Sequence, residues 1–312
     1  MKDRGRITVV GSFNTDLLVR TPRIPVGGET ILGRDYRTGP GGKGANQAVA
    51  AARLGAEVTM VVKLGADDLG DRAEENLRRE GVSPDFILRT TETHTGVAFI
   101  VLDDAGENMI VVAPGANAAL TPDDVEAARE AIVGAEVLLV QLESPLETVD
   151  RALALARAAG VRTILNPAPG AKLGTDLLRK VDLLTPNETE AELISGRRVT
   201  TLDEAEAAAR ELLAMGVGGV VVTLGARGAL IVRGEQVAHV PGRVVDVVDT
   251  TGAGDAFNGA LAVALAEGRA LVEAVAFANA AAALQVTRLG TAPAMPYRKE
   301  VEALLADTAS AC

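Results

Sequence analysis

The sequence predicts an α/β protein built on a mainly parallel sheet. Short, continuous apolar runs recur along the chain, and stretches with helical spacing stand between them. Polar residues fall just after several of those runs, which would gather them along one edge of such a sheet.

Ile7–Val10 opens the series as a buried strand, followed by Val58–Val62, Val137–Val140, Arg162–Leu165, Val181–Leu184 and Val220–Val222. Runs without polar alternation suit strands covered by helices on both faces. In Ala45–Leu54, the residues Ala45, Ala48, Val49 and Ala52 share one helical face. Asp123–Val133 and Asp203–Ala214 read as helices too, entered through Thr121-Pro122 and Thr201. Two regions break the rhythm. Residues 14–38 carry Pro22, Pro25, Gly27, Gly28 and Gly33 with short β-like pieces. Thr95–Leu102 and Asn108–Ala113 read as a hairpin around Asp103–Gly106. The expected division is an α/β domain of residues 1–13, 39–92 and 114–312, covered by a small β-sheet lid of residues 14–38 and 93–113.

Composition narrows the function. The chain has 312 residues, 48% hydrophobic and 23% charged, ample for a core. Its formal net charge of −11 argues against nucleic acid or an anionic membrane as a partner, and 2% aromatics leave little for base stacking. The single cysteine, Cys312, excludes an intramolecular disulfide and a cysteine zinc cluster. Residues Met1–Arg6 precede no long apolar run, so a cytoplasmic location is expected.

The chemistry is concentrated in Asp249-Thr250-Thr251-Gly252-Ala253-Gly254-Asp255, which runs into the apolar segment Ala256–Leu261. The small residues permit a tight bend, and the following helix would present free N–H groups and its positive dipole end to an anion. A carboxylate at Asp255, beside such a site, could take a proton from a hydroxyl attacking a phosphate. The competing reading makes Asp255 a helix cap after a Gly-rich turn. An ordinary carboxylate pKa of about 4 would suffice, and the helix N-terminus should keep Asp255 ionised. Asn14 and Asp16 follow the first apolar run, and Glu143, Asn187 and Thr223 each follow or close a further one.

A second Gly-rich element, Gly39-Pro40-Gly41-Gly42-Lys43-Gly44, fits the dinucleotide pattern formally. The preceding Asp35–Thr38 is a poor buried strand, however, and Val61–Lys63 supplies no acidic ribose ligand. It is not a Walker A loop either, because Gly44 follows Lys43. The better reading is a turn that brings backbone amides, Lys43 and Asn46 against a polyhydroxylated ligand.

Together, Gly39–Ala48 and Asp249–Phe257 make the chain resemble the ribokinase-like carbohydrate kinases, the PfkB family, from about residue 6 to about residue 298. Within that family, Gly11–Asp16, the Gly-Gly-Lys-Gly-Ala-Asn run and Glu143 are similar to the members acting on ribose. The resemblance implies a three-layer sandwich with a β lid, D-ribose and ATP as substrates, and transfer to the 5-hydroxyl to give ribose 5-phosphate and ADP. Asn14, Asp16, Gly42, Lys43, Asn46 and Glu143 would hold the sugar, with Asp255 as base and the amides of Gly252, Ala253 and Gly254 as anion hole. Asn187, Thr223, Gly225, Ala226, Gly228, Gly254 and Asn279 would line the ATP site, and Glu190 would help place Mg²⁺ through water. K⁺ would be held largely by carbonyls at Asp249, Thr251, Gln285, Arg288 and Gly290. Two positions depart from the family: Ala294 stands where a serine hydroxyl is frequent, and Gln285 where a small residue is common. A homodimer through the lid is also implied. Alternatives are a sister kinase for another sugar or a nucleoside, a non-catalytic sugar-binding module, and, more distantly, a nicotinamide oxidoreductase.

Overall fold

The computed structural model describes residues 4–309, so Cys312 and the first three residues lie outside the described part. Ten strands form the main sheet. Their spatial order is Gln236–Val240, Ala229–Arg233, Val220–Thr223, Leu183–Leu184, Arg162–Leu165, Val137–Val140, Arg6–Val10, Glu57–Gly65 and Val82–Ser83, with Ile87–Thr90 also paired to Glu57–Gly65. Pairing is parallel from Val220–Thr223 across to Val82–Ser83, and only the Ala229–Arg233 and Gln236–Val240 edge is antiparallel.

The uninterrupted apolar runs follow from this placement. Ile7, Val9, Val137 and Leu139 join a core on one face, while Val10, Leu138 and Val140 join a core on the other. Successive strand residues point to opposite sides, so a sheet buried on both faces needs apolar residues at every position. Helices Lys43–Arg53, Ala253–Ala266 and Leu271–Gln285 cover the first face; Leu146–Ala158 and Leu202–Ala214 cover the second. The result is three layers.

Some elements differ from expectation. The stretch read as one helix over Asp123–Val133 is two, Pro122–Ala127 and Arg129–Val133, broken at Ala128. The hairpin strand starts at Val97, because Thr95 is held elsewhere: its N–H and hydroxyl donate to the two oxygens of Asp67 at 2.8 and 2.7 Å. Of Val181–Leu184, only Leu183–Leu184 pairs in the sheet.

A separate four-stranded sheet has the order Tyr36–Gly41, Asn14–Arg20, Val97–Leu102, Asn108–Ala113. It runs past the boundary expected at residue 38, because Asn14 pairs with Gly41. Strand Asn14–Arg20 starts just beyond the end of Arg6–Val10, so the small sheet stands over the carboxyl edge of the main one. Among the described residues, no helix is long and apolar enough to cross a membrane.

Candidate active site

Gly252 caps helix Ala253–Ala266 with φ 86°, a left-handed conformation that a side chain would strain. Asp255 does not cap the helix. Its side chain turns inward, 6% exposed, and accepts hydrogen bonds from Asn46 Nδ2 at 2.9 Å and Gln47 Nε2 at 3.0 Å. Burial pushes its carboxyl above the usual carboxylate range, opposed by the Lys43 ammonium and by these two amides. The expectation of an ordinary pKa therefore fails: desolvation outweighs the helix N-terminus.

Gln47 is fully buried and ties Asp255 into a polar chain. Its Oε1 accepts from Gln141 Nε2 at 2.6 Å, and its Nε2 also donates to Asn166 Oδ1 at 3.1 Å. From the other side, Asn258 Nδ2 donates to the Gly254 carbonyl at 2.8 Å, and its Oδ1 accepts from the Thr185 hydroxyl at 2.6 Å. The base candidate thus sits in a prearranged cradle.

Around it lie the residues expected to face the sugar. Glu143 accepts from Ser12 Oγ at 2.5 Å and from the Lys43 amide at 2.8 Å. The turn before Lys43 is tight because Gly42 has φ 88° and a Cβ there would meet Asn14 N at 2.6 Å. Asn14 Oδ1 accepts from Asn117 Nδ2 at 2.9 Å, which leaves the Asn14 amide N–H groups to donate. Asp16 packs on Gly41 and faces the Thr291 hydroxyl at 3.4 Å. Burial, reinforced by the charge of Glu143, raises Asp16 to about 7, with Thr291 opposing. Burial works against the charge of Lys43, yet Asp255, Glu143 and Glu190 together hold its ammonium above its usual value.

The residues expected at the nucleotide cluster on neighbouring strand ends. Asn187 and Glu190 form a reciprocal cap on helix Glu188–Ser195: Asn187 Oδ1 accepts from the Glu190 amide at 2.8 Å, and Glu190 Oε2 accepts from the Asn187 amide at 2.9 Å. Burial raises the Glu190 carboxyl, with the Asn187 amide and Lys43 pulling it back. Thr223 bridges to Asn187, and Gly225, Ala226 and Gly228 form the turn that follows it. Asn279 lies on the far side of this turn, where its Nδ2 donates to the Val240 and Pro241 carbonyls at 3.1 and 3.3 Å.

The loops expected to hold K⁺ are stitched together differently from a bare ring of carbonyls. Asp249 accepts from the Thr251 amide and the Gly290 amide, each at 2.9 Å. Gln285 turns its side chain inward, and its Nε2 donates to the carbonyls of Thr251 and Gly290. The Arg288 side chain is paired with Glu300, which leaves only its backbone for such a site.

Gln47, Asn117, Asn166 and Thr291 are positioning residues that sequence reasoning missed. Gln47 had a signal, since a second consecutive amide on a buried helix face needs a partner; Asn117 had none.

The chain matches the pfkB family carbohydrate kinases over residues 4–298. It is 44% identical to the ribokinase of Bacillus subtilis, over 96% of this chain and 99% of the relative. It is 39% identical to the deoxyribokinase of Salmonella typhi, over 93% and 95%. The structure of Arabidopsis thaliana ribokinase complexed with ribose and ATP aligns with a TM-score of 0.91 at 36% identity, over 97% of this chain and 99% of that one. The architecture is the ribokinase-like α/β fold. With its family profile matched over nearly its whole length and close relatives covered end to end, the chain belongs to the pfkB family and is an ATP-dependent carbohydrate kinase.

Proposed function

We propose that the protein transfers the γ-phosphoryl group of ATP to the 5-hydroxyl of D-ribose, giving D-ribose 5-phosphate and ADP. The observation that carries this reading is the buried Asp255 at a helix N-terminus, held by Asn46 and Gln47 with Lys43 and Glu143 close by. Asn14, Asp16, Lys43, Asn46 and Glu143 would hold the sugar hydroxyls and aim the primary one at Asp255. Asp255 takes that proton as the hydroxyl attacks, and the amides of Gly252, Gly254 and Asp255 receive the charge on the transferring group, joined by the Ala253 amide, which in the free protein donates to the Thr250 carbonyl at 3.3 Å. Its raised pKa suits a proton acceptor, because a base is most effective near the operating pH. The small sheet would close over the sugar and keep water from competing for the phosphoryl group.

ATP would lie over Gly225–Gly228, between Asn187, Thr223 and Asn279. For Mg²⁺ the donor set fits in the manner expected when the phosphates supply most ligands. Among the described residues no cluster of three acidic, His or Cys side chains forms a metal cage, whereas Glu190 is a buried carboxylate. When bound, Mg²⁺ would neutralise phosphate charge. Edge strand Asn108–Ala113 exposes Met109, Ile110, Val111 and Val112, which supports pairing of two small sheets in a homodimer. We assign the reaction to the cytoplasm, where ATP is available.

The test is coupled ADP release with D-ribose, 2-deoxyribose, fructose and adenosine. Ribose is expected to give the highest kcat/KM. The similarity to a deoxyribokinase makes 2-deoxyribose a leading competing substrate, and a preference for it, for fructose or for adenosine would replace the ribose assignment.

A further inference from the structure

In a pfkB kinase the loop pair Asp249–Thr251 and Gln285–Gly290 is where a monovalent cation would be sought, yet the carbonyls of Thr251, Gln285 and Gly290 already accept hydrogen bonds from within the loop pair. Both oxygens of Asp249 accept backbone amides, from Thr251 and from Gly290. Val248 and Asp249 donate their amides to the Val286 carbonyl at 2.7 and 3.1 Å, which pins the loops side by side. The Thr251 and Gly290 carbonyls converge on one buried point, and the Gln285 side-chain nitrogen occupies it, donating to both. The Gln285 side chain is fully buried, and its nitrogen lies 3.3 Å from the position a Cβ on Gly252 would take. The backbone carbonyl of Gln285 in turn accepts the Arg288 amide at 3.1 Å. At Ala294, fully buried nearby in sequence, no hydroxyl is available as a further ligand.

We propose that the Gln285 amide takes the place of the monovalent cation, so that catalysis is independent of K⁺. Two carbonyls aimed at one another repel unless something positive stands between them; an amide NH₂ supplies two N–H donors there, tethered to a helix already in place. The opposite orientation would set Gln285 Oε1 against the Thr251 and Gly290 carbonyls, three oxygens that would then need a cation between them. As oriented, Gln285 Oε1 has no donor among the described residues, the cost at which the two carbonyls are satisfied. The tether holds Thr251 and Gly290 in register and so fixes Gly252, the residue that turns the anion-hole amides toward the phosphate.

The test compares wild type with Gln285→Ala in K⁺ and in tetramethylammonium. For wild type, kcat and Tm should agree between the two salts, kcat within about twofold, because an ion with no site shifts no equilibrium. In Gln285→Ala the two carbonyls lose their donor and gain room. Turnover in tetramethylammonium should fall, and K⁺ should restore it by about tenfold and raise Tm by about 2 °C or more. Crystals of wild type soaked in Tl⁺ should show no anomalous peak between Thr251 and Gly290, a readout that holds even if the variant fails to fold. A Tl⁺ peak there, tenfold activation of wild type by K⁺, or a folded Gln285→Ala that neither slows nor responds to K⁺ would each overturn the proposal. The kinetic comparison rests on the kinase reading, but melting and Tl⁺ binding do not, so the failure of one is distinguishable from the failure of the other.

Discussion

Replacing Gln47 by Leu removes one of the two side chains that, among the described residues, hydrogen-bond to the Asp255 carboxylate, while keeping the helix and roughly the volume. A hydrogen bond to a charged group contributes about 1.5–3 kcal/mol. Losing the Gln47 amide should therefore push the Asp255 carboxyl still further above the usual carboxylate range. The sign follows from the geometry: the Gln47 amide donates more strongly to the ionised carboxylate than to the neutral acid, and burial, which opposes ionisation, then acts with less opposition. The same change strands Gln141 Nε2 and one acceptor of Asn166, costing about 1–3 kcal/mol of stability for each group left unsatisfied. The assay is the pH profile of kcat/KM for ribose, alongside a denaturant titration. The acid limb should move to higher pH while the plateau activity is largely recovered at alkaline pH. An acid limb that stays in place, with stability reduced as expected, would refute the claim that Gln47 sets the ionisation of Asp255.

Asp16 is raised to about 7 in the free protein, and a carboxylate that accepts sugar hydroxyls must be ionised. Ribose binding should therefore release a proton below that pH and weaken about tenfold per unit as pH falls further; calorimetry in buffers of different ionisation enthalpy measures it, and proton uptake would contradict it. Through the same group, folding stability should fall as pH rises from ~3.8 to about 7 and stay reduced above it, since over that range the folded state holds a proton that the unfolded state has lost. Glu143→Ala should weaken ribose binding by roughly 1–3 kcal/mol and leave nucleotide affinity unchanged, and equal loss of both ligands would remove Glu143 from the sugar site. Gly259→Ala should destabilise the fold by about 1–3 kcal/mol, because its Cβ would meet Ala50 Cβ and the Gln47 carbonyl at 2.7 Å where the two site helices touch. A Tm equal to wild type would show that the helices can separate freely.

The main strands were legible because their apolar runs have no polar interruptions, and the site edge because Asn14, Glu143, Asn187 and Thr223 follow strands that end together. Helix Leu271–Gln285 was not legible: alanines surround it, so no polar stripe marks a face. Val82–Ser83 was missed because two residues carry no period. Asp255 was found through its Gly-rich turn, yet its ionisation could not be read, since that depends on burial and on Gln47 across a helix contact. Gln285 shows the same limit. Its position in the sequence marks a departure from the family, but the direction its amide takes is set by Thr251 and Gly290, brought to it by the fold.

The most direct measurement is turnover of Asp255→Asn with ribose and ATP, read beside the affinities of both ligands. The amide keeps the shape and loses the base. Turnover should fall by about 10²–10⁴ while ribose and ATP still bind within a few-fold of wild type. Turnover within a few-fold of wild type would contradict the role of Asp255 and, with it, the mechanism.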